Sequence, residues 1–413
     1  MSDGTLQTLD ITMLEDVGTG ANQLIQLDSN AKIPACSGAS ITNLPGVTKN
    51  ASDPAIATNP AGGVGSVWQN TTSGEMYICT DATAGENVWT NVGDGSGDVA
   101  PWLTNSTTQG DNYGYAAGPY NSPAGSQNRI ERAVNFSSDG NGTDWADLTV
   151  GRYDCAGTSS ATYGYCCGGQ PTHSGMARLN VIDKWPFASQ TNASDVGDLS
   201  LVRSLFEGHM STTHGYTCGG TGGPAHSPYA RNEIDKFSFS SDGNSSDIGN
   251  LTAARESGGG SSSSTHGYYA GGRDNAVPAH NWSIRIDKFS FSSDGDATTV
   301  GNTVQASGAG HRGRTGTQSY YYGYALGGGD TATDVIEKYS FASDGNSSDV
   351  GDLLAANKFG AGIAGYTKGY YTGGGVPWID NTIQKFDFAS DGNGTDVGDL
   401  SLAMAEHCGN AQH

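Results

Sequence analysis

Seven side chains in this sequence stand where they can touch another molecule: Tyr120, His173, His226, Tyr229, His280, Trp282 and Trp378. They fall in segments rich in Gly, Pro, Ser and Asn, such as PYNSPAGSQNR, TGGPAHSPYARNE, RDNAVPAHNWSIR and VPWIDN, which differ in length while the residues around them recur. An aromatic ring among polar loop residues offers a flat apolar face to a sugar ring or a protein surface, and its neighbours supply directional hydrogen bonds. The plainer alternative is that such rings lie down as lids over sheet edges.

Other constellations carry less chemistry. The turn S-D-G-N-x-x-D, as at Asp242, Asn244 and Asp247, spaces oxygen ligands loosely like a calcium loop but lacks the bidentate Glu and the D-x-D-x-D-G pattern, so turn chemistry is expected of it rather than an ion. Asn-x-Ser/Thr sequons such as Asn141, Asn244, Asn346 and Asn393 sit in the same turn and read as turn residues. Of nine histidines, His214 and His266 hold the same turn position in two repeats, whereas His209, His311 and His407 fall in small-residue strands that can line a channel at unequal offsets. Seven cysteines (36, 79, 155, 166, 167, 218 and 408) show no C-x-x-C spacing; buried free thiols are expected, with Cys166 and Cys167 on opposite faces of a strand. There is no G-x-S-x-G, H-E-x-x-H or P-loop, and no carboxylate pair stands outside the repeats. Neither catalysis, nor a cofactor, nor a metal is expected.

These groups need a scaffold, and the scaffold is legible as repetition. A short strand ending in glycine occurs as YGYAAG, YGYCCGG, HGYTCGG, HGYYAGG, YGYALGGG and KGYYTGGG, its first Gly at 114, 164, 215, 267, 323 and 369. After each copy comes a second phrase, typified by IDKFSFSSDGNSSDIGNL at 234–251 and IQKFDFASDGNGTDVGDL at 383–400. Two motifs in constant order, six times over, divide residues 98–413 into units of about fifty residues. Each unit predicts four strands: a small-residue stretch such as Glu256–Ser264, the G-Y strand, the I-D-K-F strand and D-V-G-D-L. Gly and Ser suit an innermost strand, where large side chains would collide. Phe237 and Phe239 share one sheet face and are expected to pack against the next unit. Asp-Gly-Asn is expected to give the positive-φ residues of a tight hairpin.

The glycine pair after an apolar strand, followed by I-D-K-F, resembles the kelch repeat. The resemblance implies a six-bladed β-propeller of four-stranded blades, although the strand-four Trp of that family is matched only by Trp145. The S-D-G-N turn also resembles the Asp-box of sialidases, with its Gly one place early. The first repeat lacks a small-residue strand of its own and SLAMAEHCGNAQH ends the chain. The segment from about Ala405 to Gln412 is therefore expected to supply that strand and close the ring. On that topology the strand 2–3 loops point away from the side at which the chain joins the repeats.

Residues 17–46, VGTGANQLIQLDSNAKIPACSGASITNLPG, resemble the stem segments of bacteriophage tail fibres. The resemblance implies a homotrimer in which three chains bury Leu24, Ile25, Leu27, Ile33 and Leu44. Residues 63–93, with Trp68 and Trp89, resemble the small β modules of such fibres. The order expected is an extended stem over 1–50, a small all-β module with a linker over 51–97, and the propeller over 98–413.

A net charge of −22 argues against nucleic acid and against an anionic membrane surface. No apolar run is long enough to cross a bilayer, and the start MSDGTLQTLD has no leader pattern. The reading expected from all this is a non-enzymatic virion protein. Its N-terminus would meet other virion structural proteins, and its propeller would bind a host-surface glycan or protein. A particle-decorating protein and a propeller glycan hydrolase are the alternatives.

Overall fold

The computed structural model describes residues 47–92, 109–171, 177–223, 229–274, 281–304, 312–375 and 379–412. These residues are strand and turn throughout, and the chain divides into two compact units, 1–104 and 105–413.

In the first unit Val47–Asn50, Val67–Asn70, Met76–Asp81 and Val88–Asn91 form one sheet in chain order, the first pair parallel and the others antiparallel. Its first strand lies in the stretch that the sequence reading gave to the stem. Trp68, Tyr77, Cys79 and Trp89 make the core, the two indoles meeting edge to face at 5.9 Å. Each indole N–H reaches a backbone carbonyl, Trp68 that of Ser52 at 2.9 Å and Trp89 that of Thr58 at 3.3 Å.

Among the described residues the second unit contains six sheets of the repeated kind. In the third sheet, for example, Glu207–Met210, His214–Cys218, Glu233–Ser238 and Ser246–Asn250 pair antiparallel in that order. The small-residue strand is shorter than expected: in the fourth sheet it is Gly259–Ser262, and Glu256 bridges to Arg273 instead. The first sheet takes its inner strand from the other end of the chain, Cys408–Ala411 pairing antiparallel with Tyr113–Ala117.

The inner strands adjoin one another in a cycle. Ala156–Ser159, Glu207–Met210, Gly259–Ser262, Thr315–Gln318, Ala361–Ala364 and Cys408–Ala411 each lie beside the next, and the last lies beside the first. Glycine makes this approach possible. A Cβ on Gly208 would stand 1.9 Å from the carbonyl oxygen of Gly157, and one on Gly157 would stand 2.3 Å from that of Gly409; Gly316, Gly362 and Gly409 meet their neighbours in the same way.

Three further contacts join successive sheets. The Tyr of each G-Y strand packs on a Phe of the following sheet, as in Tyr165–Phe239 at 5.0 Å, Tyr216–Phe291 at 4.6 Å and, from the sixth sheet to the first, Tyr370–Phe136 at 5.5 Å. Phe237 and Phe239 thus pack against the preceding sheet, not the next one, because their strand turns that face back toward Tyr165. The Asp-Gly-Asn segment is not a tight hairpin but a staple between sheets. Its Asn side chain accepts the backbone N–H of the preceding sheet's outer strand: Asn244 from Asp198, Asn346 from Asn302 and Asn141 from Asp399, each at 3.0 Å. Its Asp meets the Lys of the preceding I-D-K strand, as in Lys184–Asp242, Lys288–Asp344 and Lys385–Asp139. The junction between the first and second sheets lacks this ion pair: Gln190 replaces the Asp, and Arg132 lies over the rings of Tyr113 and Trp145.

Buried charge completes the interior. Arg152–Asp183, Arg203–Asp235, Arg255–Asp287 and Arg314–Glu337 have no exposed side-chain surface at either partner. Each acid also caps the start of the connection between outer and inner strands, as Asp235 does for the Ser200 N–H at 2.9 Å. In the sixth sheet the same two places hold Asn357 and Gln384, an uncharged pair.

Candidate functional site at the axis

Two positions before each inner strand a residue takes a left-handed conformation: Asp154 (φ 55°), Leu205 (58°), Ser257 (56°), Gly313 (72°), Phe359 (62°) and Glu406 (57°). Five of these are not glycine, and each costs about 1–2 kcal/mol of backbone strain. The strain is held by backbone hydrogen bonds between neighbours. Leu205 N–H donates to Asp154 O at 2.9 Å, Ser257 to Leu205 at 2.8 Å, Phe359 to Gly313 at 2.8 Å, Glu406 to Phe359 at 2.6 Å and Asp154 to Glu406 at 2.6 Å. All six line a cavity of about 110 Å³ that also takes in Glu207, Met210 and His407.

Because each inner strand begins here and its antiparallel partner ends here, this is the strand 2–3 loop end of the sheets. Residues 109–112 join the unit at the other end, where Gly110 N–H donates to Ala364 O at 2.8 Å beside a strand 1–2 turn.

Two carboxyls, Asp154 and Glu406, and the Phe359 ring line the cavity, and Arg312 and Arg178 lie near enough to act on the carboxyls. Burial and the neighbouring Glu406 carboxylate hold the Asp154 carboxyl well above its ordinary value, against the pull of Arg312 and Arg178. Burial likewise pushes Glu406 up to about 7, opposed by Arg312. Among the described residues Glu406 Oε2 and Ser257 Oγ are buried without a hydrogen-bond partner, whereas Asp154 accepts from the Gln170 amide at 2.8 Å. Beside them the Phe359 ring lies under the Arg312 guanidinium at 5.4 Å, and Glu256 holds Arg273. Deeper in, burial drives Glu207 up to about 8 despite the N–H of Gly260 at 3.1 Å. An apolar ring flanked by buried carboxyls, with guanidinium groups nearby, can bind a polyhydroxylated ligand. A carboxyl near 7 can also move a proton.

Three of the sequence-selected residues lie around this mouth. Tyr120 pairs with Ala405, next to Glu406, with N···O distances of 2.9 and 3.0 Å, and its ring meets Tyr153 edge on at 5.4 Å. Trp282 pairs with Arg273, the partner of Glu256. Tyr229, 44 % exposed, accepts from Gly222 N–H, and Gly222 pairs with Arg203, two residues from Leu205. His173, His226, His280 and Trp378 lie outside the described residues, as do the stem residues Leu24, Ile25, Leu27, Ile33 and Leu44.

Of the three histidines assigned to small-residue strands, the two described ones bond to residues of different sheets. His209 contacts Ser261 O and Cys218 Sγ, each at 3.0 Å, and His407 contacts Thr372 Oγ1 at 3.0 Å, in separate sheets; burial pushes both down to about 4. His311 lies outside the described residues.

Within the repeats, the return of the C-terminal strand brings Asp154 and Glu406 together from positions far apart in sequence. A signal was available. Both follow by two residues the connector position held by Arg152, Arg203, Arg255, Asn357 and Met404, and that place is otherwise Leu205, Ser257 and Phe359.

No known protein family matches this chain, and no characterised protein is significantly similar to it in sequence.

Proposed function

We propose that residues 105–413 form a six-bladed β-propeller whose strand 2–3 face is a recognition surface for a glycan, with the axial mouth as its centre. The observation that carries this reading is the strained ring of Asp154, Leu205, Ser257, Phe359 and Glu406, with unpaired buried oxygens at Ser257 and Glu406. The propeller itself is supported by the cyclic order of inner strands and by the recurrence of the same junction contacts between the sixth sheet and the first. The resemblance of residues 17–46 to phage fibre stems supports placing the chain on a virion as a trimer, where three heads would gain avidity from linkage.

The test is glycan-array binding by the full chain and by the variants Glu406→Gln, Asp154→Asn and Phe359→Ala. Binding lost in these and retained in Lys385→Ala, at the opposite end of the sheets, is the expected result. Binding that is indifferent to all three axial changes would overturn the assignment.

One observation favours a second reading. Two buried carboxyls close enough to act on each other, one of them pushed up to about 7, can divide into the acid and the ionised carboxylate that a glycoside hydrolase uses. Sugar release from the bound glycan, abolished by Glu406→Gln, would establish that reading over pure recognition.

A further inference from the structure

Three thiols meet where the two ends of the repeat unit are joined. Cys155 lies in the connector before the second sheet, Cys166 in that sheet's second strand, and Cys408 in the C-terminal strand that completes the first sheet. All three are buried and their sulfurs lie within 4.8 Å of one another; among the described residues no other group of three His, Cys, Asp or Glu side chains is so placed. We propose that Cys155, Cys166 and Cys408 form a binding site for one thiophilic monovalent cation, Cu(I), which clamps the C-terminal strand to the second sheet.

The donor set selects the ion. Sulfur ligands favour soft cations, and Zn(II) in a structural site takes four donors, whereas three thiolates satisfy Cu(I). With metal–sulfur bonds of about 2.3 Å, a trigonal set needs sulfurs roughly 4 Å apart, so the three thiols have to close by less than about an ångström. Each thiol that binds gives its proton to solvent. The ion offsets one of the three negative charges, and the Arg152 guanidinium, which acts electrostatically on Cys155, Cys166 and Cys167 while paired with Asp183, offsets part of the remainder. Cys155 and Cys408 line the axial cavity, which gives the ion a route to the site.

The neighbouring repeats show that packing alone does not require thiols here. The place of Cys155 is held by Phe206, Gly258, Gly360 and His407 in other repeats, and that of Cys166 by Thr217, Tyr269, Tyr371 and Ala116. These pairs fill the volume in complementary ways: Gly258 with Tyr269 and Gly360 with Tyr371, the phenol bonding the glycine N–H at 3.0 and 3.1 Å. Between the first and second sheets both members are cysteine, and the neighbouring inner strand adds a third. This junction is also the one where Gln190 takes the place of the Asp that elsewhere meets the preceding sheet's Lys.

The experiment is anaerobic titration of the reduced full-length protein with Cu(I) against bathocuproine disulfonate, following thiolate-to-copper charge-transfer absorption and the melting temperature. One ion held per chain, with a rise in melting temperature, is expected. Cys166→Ala and Cys155→Gly copy residues that other repeats already carry, so both should fold; each should weaken retention by about a hundred-fold or more, while Cys167→Ala should not. Failure of the parent protein to hold copper against the chelator would overturn the proposal, as would undiminished retention in both Cys166→Ala and Cys155→Gly.

Discussion

The buried Arg203–Asp235 pair gives the sharpest test of how successive sheets are joined. Neither side chain has exposed surface, and the guanidinium lies 3.0 Å from the carboxylate. Arg203 also donates to the carbonyls of Gly219 at 3.3 Å and Glu233 at 3.0 Å, while Asp235 accepts from Ser200 N–H, Ser200 Oγ and Ser245 Oγ at 2.9, 2.6 and 2.9 Å. Arg203→Asn leaves a buried carboxylate without its counter-charge, and Asp235→Gln leaves a buried guanidinium without its own. Each should cost about 3–5 kcal/mol. The double variant copies the solution used in the sixth sheet, where the Asn357 amide reaches Gly373 O at 3.1 Å and Gln384 Oε1 accepts Leu354 N–H at 2.8 Å. With no charge left uncompensated its cost should fall to about 1–2 kcal/mol. For a unit of roughly 300 residues each kcal/mol shifts the melting temperature by about 2 °C. The singles should therefore melt about 6–10 °C lower and the double within about 4 °C of the parent, and calorimetry on all four proteins closes the cycle. A double variant no more stable than the worse single would refute the view that uncompensated charge, rather than lost packing, sets the cost.

Gly208→Ala places a methyl group 1.9 Å from a backbone carbonyl and should lower stability by at least about 3 kcal/mol or prevent folding, whereas Gly345→Ala, with open space at its Cβ, should fall within about 0.5 kcal/mol of the parent in a thermal melt. Glu207 is pushed up to about 8, so the folded protein keeps its proton where the unfolded chain has lost it, and this contribution to stability is lost as pH rises through about 8. His209 and His407, pushed down to about 4, act in the opposite sense below about pH 6.5, whereas Glu406, pushed up to about 7, and the raised Asp154 act in the same sense as Glu207, so from about pH 6.5 to 8 the fall is shared among these carboxyls. Glu207→Gln should make the fall in melting temperature across that window shallower and remove the same contribution down to about pH 4.5; an unaltered slope would show that another group controls it.

Much of the repeat scaffold is encoded locally. The G-Y and I-D-K-F phrases set strands through alternation between neighbouring residues, and the small residues of Gly259–Ser262 mark a strand with no room at its centre. The C-terminal strand was legible because the first repeat lacks what SLAMAEHCGNAQH supplies. Locality also explains the misjudgements. From its own residues the Asp-Gly-Asn turn reads as a hairpin, and only its neighbour across the junction reveals Asn244 as an acceptor for Asp198. The direction in which Phe237 packs depends on how one sheet lies on another, which alternation along a single strand does not specify.

What the sequence alone determined is therefore the unit: its period, its four strands, its small inner residues and the loops that vary. What only the tertiary structure decided is what meets at the axis and at the closing junction. Asp154 and Glu406 become a pair, and Cys155, Cys166 and Cys408 a cluster, because the C-terminal strand returns to the first sheet and lies beside the second. Such encounters join residues about 250 positions apart, and no local periodicity carries information over that distance.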